Sequence, residues 1–151
     1  MKIPWDVKSV IINELRAYRE NKIQLEKLKK DKEDIYHRTR QPANEPVKGS
    51  HAGDPTYSKV AQLQEIEEAI FNLQRRIANV EAGLAMCMQE ERRLMEYRYT
   101  GECEPTNEET ADYMRYGNRN KFYRVRDAAI SKFAKVYGVY DERWSRAGTR
   151  S

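Results

Sequence analysis

The sequence predicts an all-α protein, because apolar residues recur with helical spacing while alternating Val, Ile and Thr are scarce. The five Pro and seven Gly are mostly clustered, which leaves long uninterrupted segments between them. Charged residues make up 34% of the 151 residues, and the mean hydropathy is −0.97. Such values suit long exposed helices with a narrow apolar seam better than one large globular core.

A first helix is predicted over residues 6–37, a segment without Pro or Gly, with Asp6 as its N-cap. Its apolar residues recur at steps of three, four and seven: Ile11, Leu15, Tyr18, Leu25, Leu28 and Ile35. The lysine-rich run at residues 27–32 is interpreted as a solvated coiled-coil face, with a phosphate-contacting face as the alternative. Residues 38–54 contain Pro and Gly and almost no apolar residue, which predicts a loop.

A second helix is predicted over residues 55–88, with Asp54 as N-cap and Pro55 at the first helical position. Its apolar seam alternates steps of three and four, as in a coiled coil: Leu63, Ile66, Ile70, Leu73, Ile77, Val80 and Leu84. Two similar helix lengths favour an antiparallel hairpin, but the strict seam also permits a homodimer through these seven residues. The sequence leaves both open.

The C-terminal part reads as shorter helices separated by turns. A helix over residues 89–99 ends at Gly101, and Thr106 with Glu109 predicts a capping box for the next helix. A turn at residues 115–117 contains a glycine, after which Asn118 caps a last helix that Gly138 stops. Helix, short turn and helix together predict a helix-turn-helix. The predicted domains are residues 1–88 and 89–138, with a tail over residues 139–151 that either docks by its Trp or is disordered.

The last helix, predicted over residues 118–137, is amphipathic and basic. Its core face is predicted to hold Phe122, Val125, Ala129, Phe133 and Val136, and its outer face Asn120, Lys121, Tyr123, Arg124, Asp127 and Ser131. Of the chain's 28 Lys and Arg and 24 Asp and Glu, seven basic residues and one acid lie between Arg115 and Lys135, which leaves 21 and 23 elsewhere. A local basic excess of this kind is typical of nucleic-acid binding, although a solvated helix face would also produce it.

Roles in DNA binding follow from the chemistry of base edges and phosphates. Arg and Lys match guanine N7 and O6, and Asn matches adenine N6 and N7. The predicted base-reading residues are Asn120, Lys121, Arg124 and Tyr123, with Asp127 as a further candidate beside them. The predicted phosphate-binding residues are Arg115, Asn118 and Arg119. Arg126 lies nearer the core edge and is predicted to pair with an acid of a neighbouring helix.

Several other functions lack a supporting pattern. Cys87 and Cys103 lack zinc-site spacing, and neither His37 nor His51 is predicted to bind a metal. No nucleophile and base pair, phosphate loop or carboxylate pair stands out, so neither catalysis nor a cofactor is expected. The absence of a signal peptide and of a long apolar run predicts a soluble protein that is not exported.

Three segments carry a resemblance to a known family: LMEYRY at residues 94–99, NEETADYM at 107–114 and NRNKFYRVRDAAISKFAKVYG at 118–138. They resemble the helix-turn-helix of region 4 of bacterial sigma-70 factors and, more narrowly, phage regulators of the ArpU and RinA families. Two departures are Asn118 in place of the usual Ser and a late glycine in the turn. The resemblance implies a cytoplasmic activator of phage late packaging and lysis genes that binds double-stranded DNA and contacts host RNA polymerase.

Two other function classes remain open on the sequence. A phage small terminase subunit also joins a helix-turn-helix to oligomerisation helices, but it usually places its DNA-binding domain first. A coiled-coil interaction protein could use its basic helix to bind an acidic partner. An acidic patch, formed by Glu102, Glu104, Glu108, Glu109 and Asp112, either favours a helix N-terminus or faces a basic surface of the polymerase.

Overall fold

The computed structural model describes residues 2–40 and 55–144, with side chains described over residues 2–37 and 58–144. Within those ranges the protein is all-α, as predicted, and contains no strand. Its helices are α1 (Trp5–Arg40), α2 (Pro55–Met86), α3 (Gln89–Met95), α4 (Asn107–Tyr113) and α5 (Arg119–Val136), and a π-helical turn, Glu96–Thr100, extends α3. None of the described helices is both long enough and apolar enough to cross a membrane.

The start of the first helix differs from the prediction. Asp6 lies inside the first turn of α1, so it is not the N-cap. The N–H of Lys8 donates to the carbonyl oxygen of Pro4 at 3.1 Å, which is the first hydrogen bond of the helix. The carboxylate of Asp6 still suits the positive helix N-terminus, which explains the misleading signal. Pro55 opens α2 as predicted, whereas Asp54 and most of the predicted loop lie outside the described residues.

Contacts between Cα atoms divide the chain into two compact units. Unit 1 comprises residues 1–20 and 76–151, and unit 2 comprises residues 21–75. The divisions therefore fall inside α1 and α2, whereas the predicted boundary between residues 88 and 89 lies within unit 1. Helical periodicity locates an apolar stripe but does not show which distant helix covers it.

Unit 1 has a continuous apolar core. The start of α1 contributes Ile11 and Leu15, which share one cluster with Val80 of α2 and with Phe122 and Phe133 of α5. All five side chains are at most 1% exposed. The N-terminal segment of α1 thus belongs to the same core as the helices that follow α2.

One glycine determines how closely two helices of unit 1 approach each other. A Cβ atom built on Gly83 of α2 would overlap the buried ring of Phe133 on α5. The ring therefore packs directly on the α2 backbone. The sequence does not reveal this role of Gly83, because a single glycine inside a predicted helix does not indicate by itself that another helix packs closely against it.

Unit 2 is a pair of helix segments with few buried side chains. Leu25 and Ile70 are each 9% exposed, and Lys32 forms a 3.4 Å ion pair with Glu67. All seven predicted seam residues of α2 are buried or half-buried within the single chain. A homodimer through the same seven residues stays a prediction and would compete with this burial.

The first part of the tail packs on unit 1. Trp144 is 8% exposed and belongs to the core cluster. Its ring meets that of Tyr140 edge to face, with centroids 5.5 Å apart. Docking by Trp144, one of the two predicted alternatives, is thus observed, while residues 145–151 lie outside the described part of the chain.

Candidate nucleic-acid interface

Helix α4 begins at the predicted cap. The Thr106 hydroxyl oxygen accepts a hydrogen bond from the N–H of Glu109 at 3.1 Å, which is one half of the predicted capping box. Ala111 is buried and Met114 is half-buried against the core cluster. These contacts fix α4 against the core and leave its acidic first turn exposed.

The turn after α4 is a Schellman motif with an arginine in the left-handed position. The N–H of Arg115 donates to Asp112 at 3.1 Å, and the N–H of Tyr116 donates to Ala111 at 2.8 Å. Arg115 has φ of 60°, whereas the turn glycine, Gly117, has no positive φ. A left-handed conformation costs a residue with a Cβ about 1–2 kcal/mol. An exposed arginine is therefore held there at some cost in stability.

Tyr116 anchors this turn to α3. Its ring is buried, and its hydroxyl donates to a carboxylate oxygen of Glu90 at 2.7 Å. Burial raises the pKa of Tyr116 far above its usual value, and the bond to Glu90 raises it further. Lys121 of α5 lies over the same ring, with its ammonium 4.9 Å from the centroid and 4.0 Å from Glu90.

The cap of α5 fixes the start of the basic helix. The Asn118 side-chain oxygen accepts from the N–H of Lys121 at 3.1 Å, as a helix N-cap does. Its side-chain NH₂ group is left as a donor, which is compatible with the predicted phosphate contact. Arg119 forms an ion pair with Glu108 of α4. Of the predicted phosphate-binding residues, Arg119 thus already has an acidic partner, whereas Arg115 has none within the described residues.

All four predicted base-reading residues are exposed in the first two turns of α5. Within the described part of the chain, Asn120 and Arg124 have no side-chain hydrogen bond or ion pair. Tyr123 is 36% exposed, and the guanidinium of Arg126 lies 5.0 Å from its ring centroid. The amide of Asn120, the ring of Tyr123 and the guanidinium of Arg124 are therefore all exposed within five residues of α5.

Two outer-face positions predicted for α5 and the predicted partner of Arg126 are wrong. Ser131 is buried, and its hydroxyl donates to the carbonyl oxygen of Ala128 at 2.6 Å. Asp127 is only 16% exposed and pairs with Lys8 of α1 at 3.3 Å, so its carboxylate is not available beside the base-reading residues. Arg126 pairs with Asp127 on its own helix at 3.2 Å, rather than with an acid of another helix.

One of these errors has a visible cause. For Asp127 the cause is Lys8 of α1, which contacts this side of α5, and a helical wheel of α5 alone cannot show such a contact. The basic residues of α5 are correspondingly divided. Arg126 is paired and largely buried, and Lys132 forms an ion pair with Glu91 of α3. Four basic residues remain together on the surface where α4 meets α5, a region called the basic corner here: Arg115, Arg119, Lys121 and Arg124.

Most of the predicted acidic patch is paired within unit 1. Glu104 accepts from Arg16 at 2.7 Å and from Arg98 at 2.9 Å, while Glu102 pairs with Arg19 at 3.6 Å. Partial burial alone would raise the pKa of Glu104, but the hydrogen bonds and charges of the two arginines lower it overall. Arg98, which the sequence did not single out, also donates to Asn107 at 2.8 Å. The spacing of residues within one helix does not predict this contact, because Arg98 and Asn107 lie on opposite sides of the turn that precedes α4.

No protein-family model, no curated protein and no solved structure matches this chain. Function is therefore inferred from the chemistry of the basic corner and its surroundings.

Proposed function

We propose that this protein is a sequence-specific regulator of transcription that binds double-stranded DNA. In this proposal α4 and α5 act as a helix-turn-helix of the sigma region 4 type, and α1 and α2 form a hairpin that carries it. The observation that supports it best is Arg124, which is exposed in the second turn of α5 and lacks an acidic partner within the described residues. The free guanidinium of Arg124 and the ammonium of Lys121 suit guanine edges, and the amide of Asn120 suits an adenine edge.

The spacing of the three side chains suits the major groove. Asn120 and Arg124 are one helix turn apart, about 6 Å along the axis at 1.5 Å per residue. Lys121 lies between them on the same exposed side. Such a helix reaches about two neighbouring base pairs, since base pairs stack about 3.4 Å apart. Tyr123 adds an apolar surface beside them, which suits contact with a thymine methyl group.

The remaining residues of the basic corner would position α5 on the phosphate backbone. Arg115 projects from the turn, and Asn118 retains its NH₂ donor at the helix N-terminus. Arg119 must exchange Glu108 for a phosphate. Because Glu90 and Glu108 reduce the positive field of the corner, we expect weak binding to random DNA and a large contribution from base contacts.

The regulatory role in this proposal is activation of phage late packaging and lysis genes in the cytoplasm of a bacterial host, and it rests on the resemblance to sigma region 4. Glu109 and Asp112 have no ion-pair partner within the described residues, and they lie on exposed positions of α4. They are the acids we propose to face the host RNA polymerase.

The decisive experiment is a selection of binding sites from a random DNA library with the purified protein. We expect a reproducible motif, and Arg124→Ala should weaken binding to it by about 1–3 kcal/mol with relaxed preference at one base pair. Arg75→Ala is the matched control, because it removes an exposed arginine of α2 that also lacks a described partner. That variant should bind like the wild type.

Each other outcome indicates a different function. An equal loss for Arg124→Ala on random DNA would limit this residue to phosphate contact. Absence of DNA binding even at low salt would favour the coiled-coil interaction protein, and a ring of many subunits on DNA would favour a small terminase. Arg115→Ala should reduce the salt slope by about one phosphate contact, a change of about 0.9 in the logarithmic slope.

A further inference from the structure

Unit 2 buries very little for a unit of two helices. Among its described side chains only Asn21, Leu25 and Ile70 are less than about a tenth exposed. Most helix stability in proteins comes from packing an apolar face. A helix pair with such a thin core is expected to gain stability from a further covering layer.

One side of this helix pair carries exposed apolar residues from both helices. Tyr36 of α1 is 46% exposed, and Val60 and Phe71 of α2 are 47% and 63% exposed. Val60 and Phe71 are eleven residues apart, which is close to three full helix turns, so both lie on one stripe of α2. The seam residues of α2 lie on a different stripe, which already faces inward.

An ion pair shows that the two stripes lie on the same side. Lys32 pairs with Glu67 at 3.4 Å, and Glu67 lies on the α2 stripe between Val60 and Phe71. On α1, Lys32 lines a shallow groove with Lys29, Glu33 and Tyr36. The groove and the α2 stripe therefore form one surface, called the dimer face below.

The charges of this face are complementary to one another. On this face α1 contributes Lys29, Lys32 and Glu33, a net charge of +1, whereas the α2 stripe from Val60 to Phe71 contributes Glu67, a net charge of −1. A surface with a basic half and an acidic half fits a second copy of itself when the rotation brings opposite halves together. We propose that the dimer face binds a second copy of this chain and forms a four-helix bundle.

The charge pattern selects the direction of the two-fold axis. An axis parallel to the helices places α2 of one copy against α1 of its partner, so that glutamates meet lysines. An axis perpendicular to the helices within the interface would place α1 against α1, so that lysines meet lysines, which is repulsive. The bundle therefore alternates α1, α2, α1 and α2 around its axis.

The parallel axis also matches apolar residues by height. Lys32 and Glu67 pair, so they lie at similar heights to within the reach of a lysine side chain. Tyr36 is about 6 Å beyond Lys32, and Val60 is about 10 Å from Glu67 in the same direction, at 1.5 Å per residue. A parallel axis preserves height, so Tyr36 of one copy meets Val60 of the other. Phe71, at the opposite end, meets the aliphatic stem of Lys29.

The area available is small. The α2 stripe from Val60 to Phe71 is about 17 Å long, and a width of two helix diameters gives roughly 400 Å² per copy. The total of roughly 800 Å² is below that of most specific interfaces, which predicts a weak, reversible dimer. This inference does not rest on the proposed DNA-binding function, because no residue of α4 or α5 enters it.

Sedimentation equilibrium of the full chain over a concentration series tests the proposal. The wild type should reach twice the monomer mass of 17.9 kDa, whereas Phe71→Glu should remain monomeric. Val10→Glu is the matched control: Val10 is 59% exposed on α1 but belongs to unit 1. That variant should dimerise like the wild type.

A charge exchange keeps the test valid even if Phe71→Glu disturbs folding. Lys29→Glu alone and Glu67→Lys alone should each weaken the homodimer, and an equimolar mixture of the two should restore association, because the heterodimer again pairs opposite charges. A wild-type protein that stays monomeric at every concentration would overturn the proposal. So would a dimer that survives Phe71→Glu, or a mixture that associates no better than its components.

Discussion

Unit 1 and unit 2 share the same two long helices but bury very different amounts of apolar side chain. In unit 1 a single cluster contains 17 buried hydrophobic residues. In unit 2 only Leu25 and Ile70 reach that degree of burial within the described residues. Both segments of α2 continue one seam, so the seam itself does not account for the difference.

The difference lies in what else is packed on the helices. In unit 1 the helices after α2 add a second layer, and the ring of Phe133 contacts the α2 backbone at Gly83. Unit 2 has one helix pair and, in the described part of the chain, no such layer. An amphipathic helix pair thus becomes a stable core only when a third element covers it. The following predictions test this contrast, from the largest effect to the smallest.

Phe133→Ala should lower the free energy of unfolding of unit 1 by about 3–5 kcal/mol, because a fully buried aromatic ring leaves a cavity. Leu25→Ala in unit 2 should cost only about 2 kcal/mol, since a thin core can collapse around the missing atoms. Urea unfolding followed by circular dichroism measures both. Equal losses for the two variants would contradict the contrast between the units.

Gly83→Ala should destabilise unit 1 by about 1–3 kcal/mol, because the added methyl group overlaps a ring that has no space to move. In an ordinary helix the same change is stabilising by about 0.5–1 kcal/mol. Gly117→Ala is the control, since a Cβ there meets no atom within 4 Å. If Gly83→Ala raised the melting temperature, the close packing of α2 and α5 would be disproved.

Arg115→Gly should raise the free energy of unfolding by about 0.5–1 kcal/mol, because glycine removes strain of about 1–2 kcal/mol at positive φ but loses more conformational entropy on folding. Gly138, at the equivalent position after α5 with φ of 73°, shows the unstrained form of the same motif. Arg115→Ala keeps the strain and removes the charge, so it should leave stability unchanged while weakening DNA binding. A fall in stability for Arg115→Gly would indicate that the arginine side chain stabilises the turn.

The smallest expected effect concerns Cys87, whose pKa is raised to about 11 by burial and then by the nearby charge of Glu91. Its thiol is favoured over the thiolate in the folded state, so its contribution to stability is full below pH 9 and is lost as the pH rises towards 11. Unfolding at pH 8 and pH 10.5 should show this loss in the wild type. Cys87→Ala should show a smaller fall over the same interval.

Much of the helix pattern is predictable because its signals are local. Pro55, Thr106, Asn118 and Gly138 each mark a helix end that the structure contains, since capping depends on residues within one turn. The exposed positions of Asn120, Lys121, Tyr123 and Arg124 follow from the period of α5 in the same way.

Contacts between distant segments are not predictable from such signals. The period of α1 does not reveal that Lys8 meets Asp127, and this contact is what removes Asp127 from the outer face. A turn that contains a glycine also does not reveal that Arg115, rather than Gly117, adopts the left-handed conformation. Both errors arise where tertiary packing decides between locally equivalent choices.

The close approach at Gly83 has a mechanical consequence. Because the Phe133 ring packs against the α2 backbone at Gly83, sliding or rotation of α2 against α5 would bring a side chain of α2 into the ring or leave a void beside it. The C-terminal turns of α2 and the whole of α5 are therefore expected to move together as one rigid body. A displacement of those turns of α2 would therefore also displace the basic corner, which includes the start of α5.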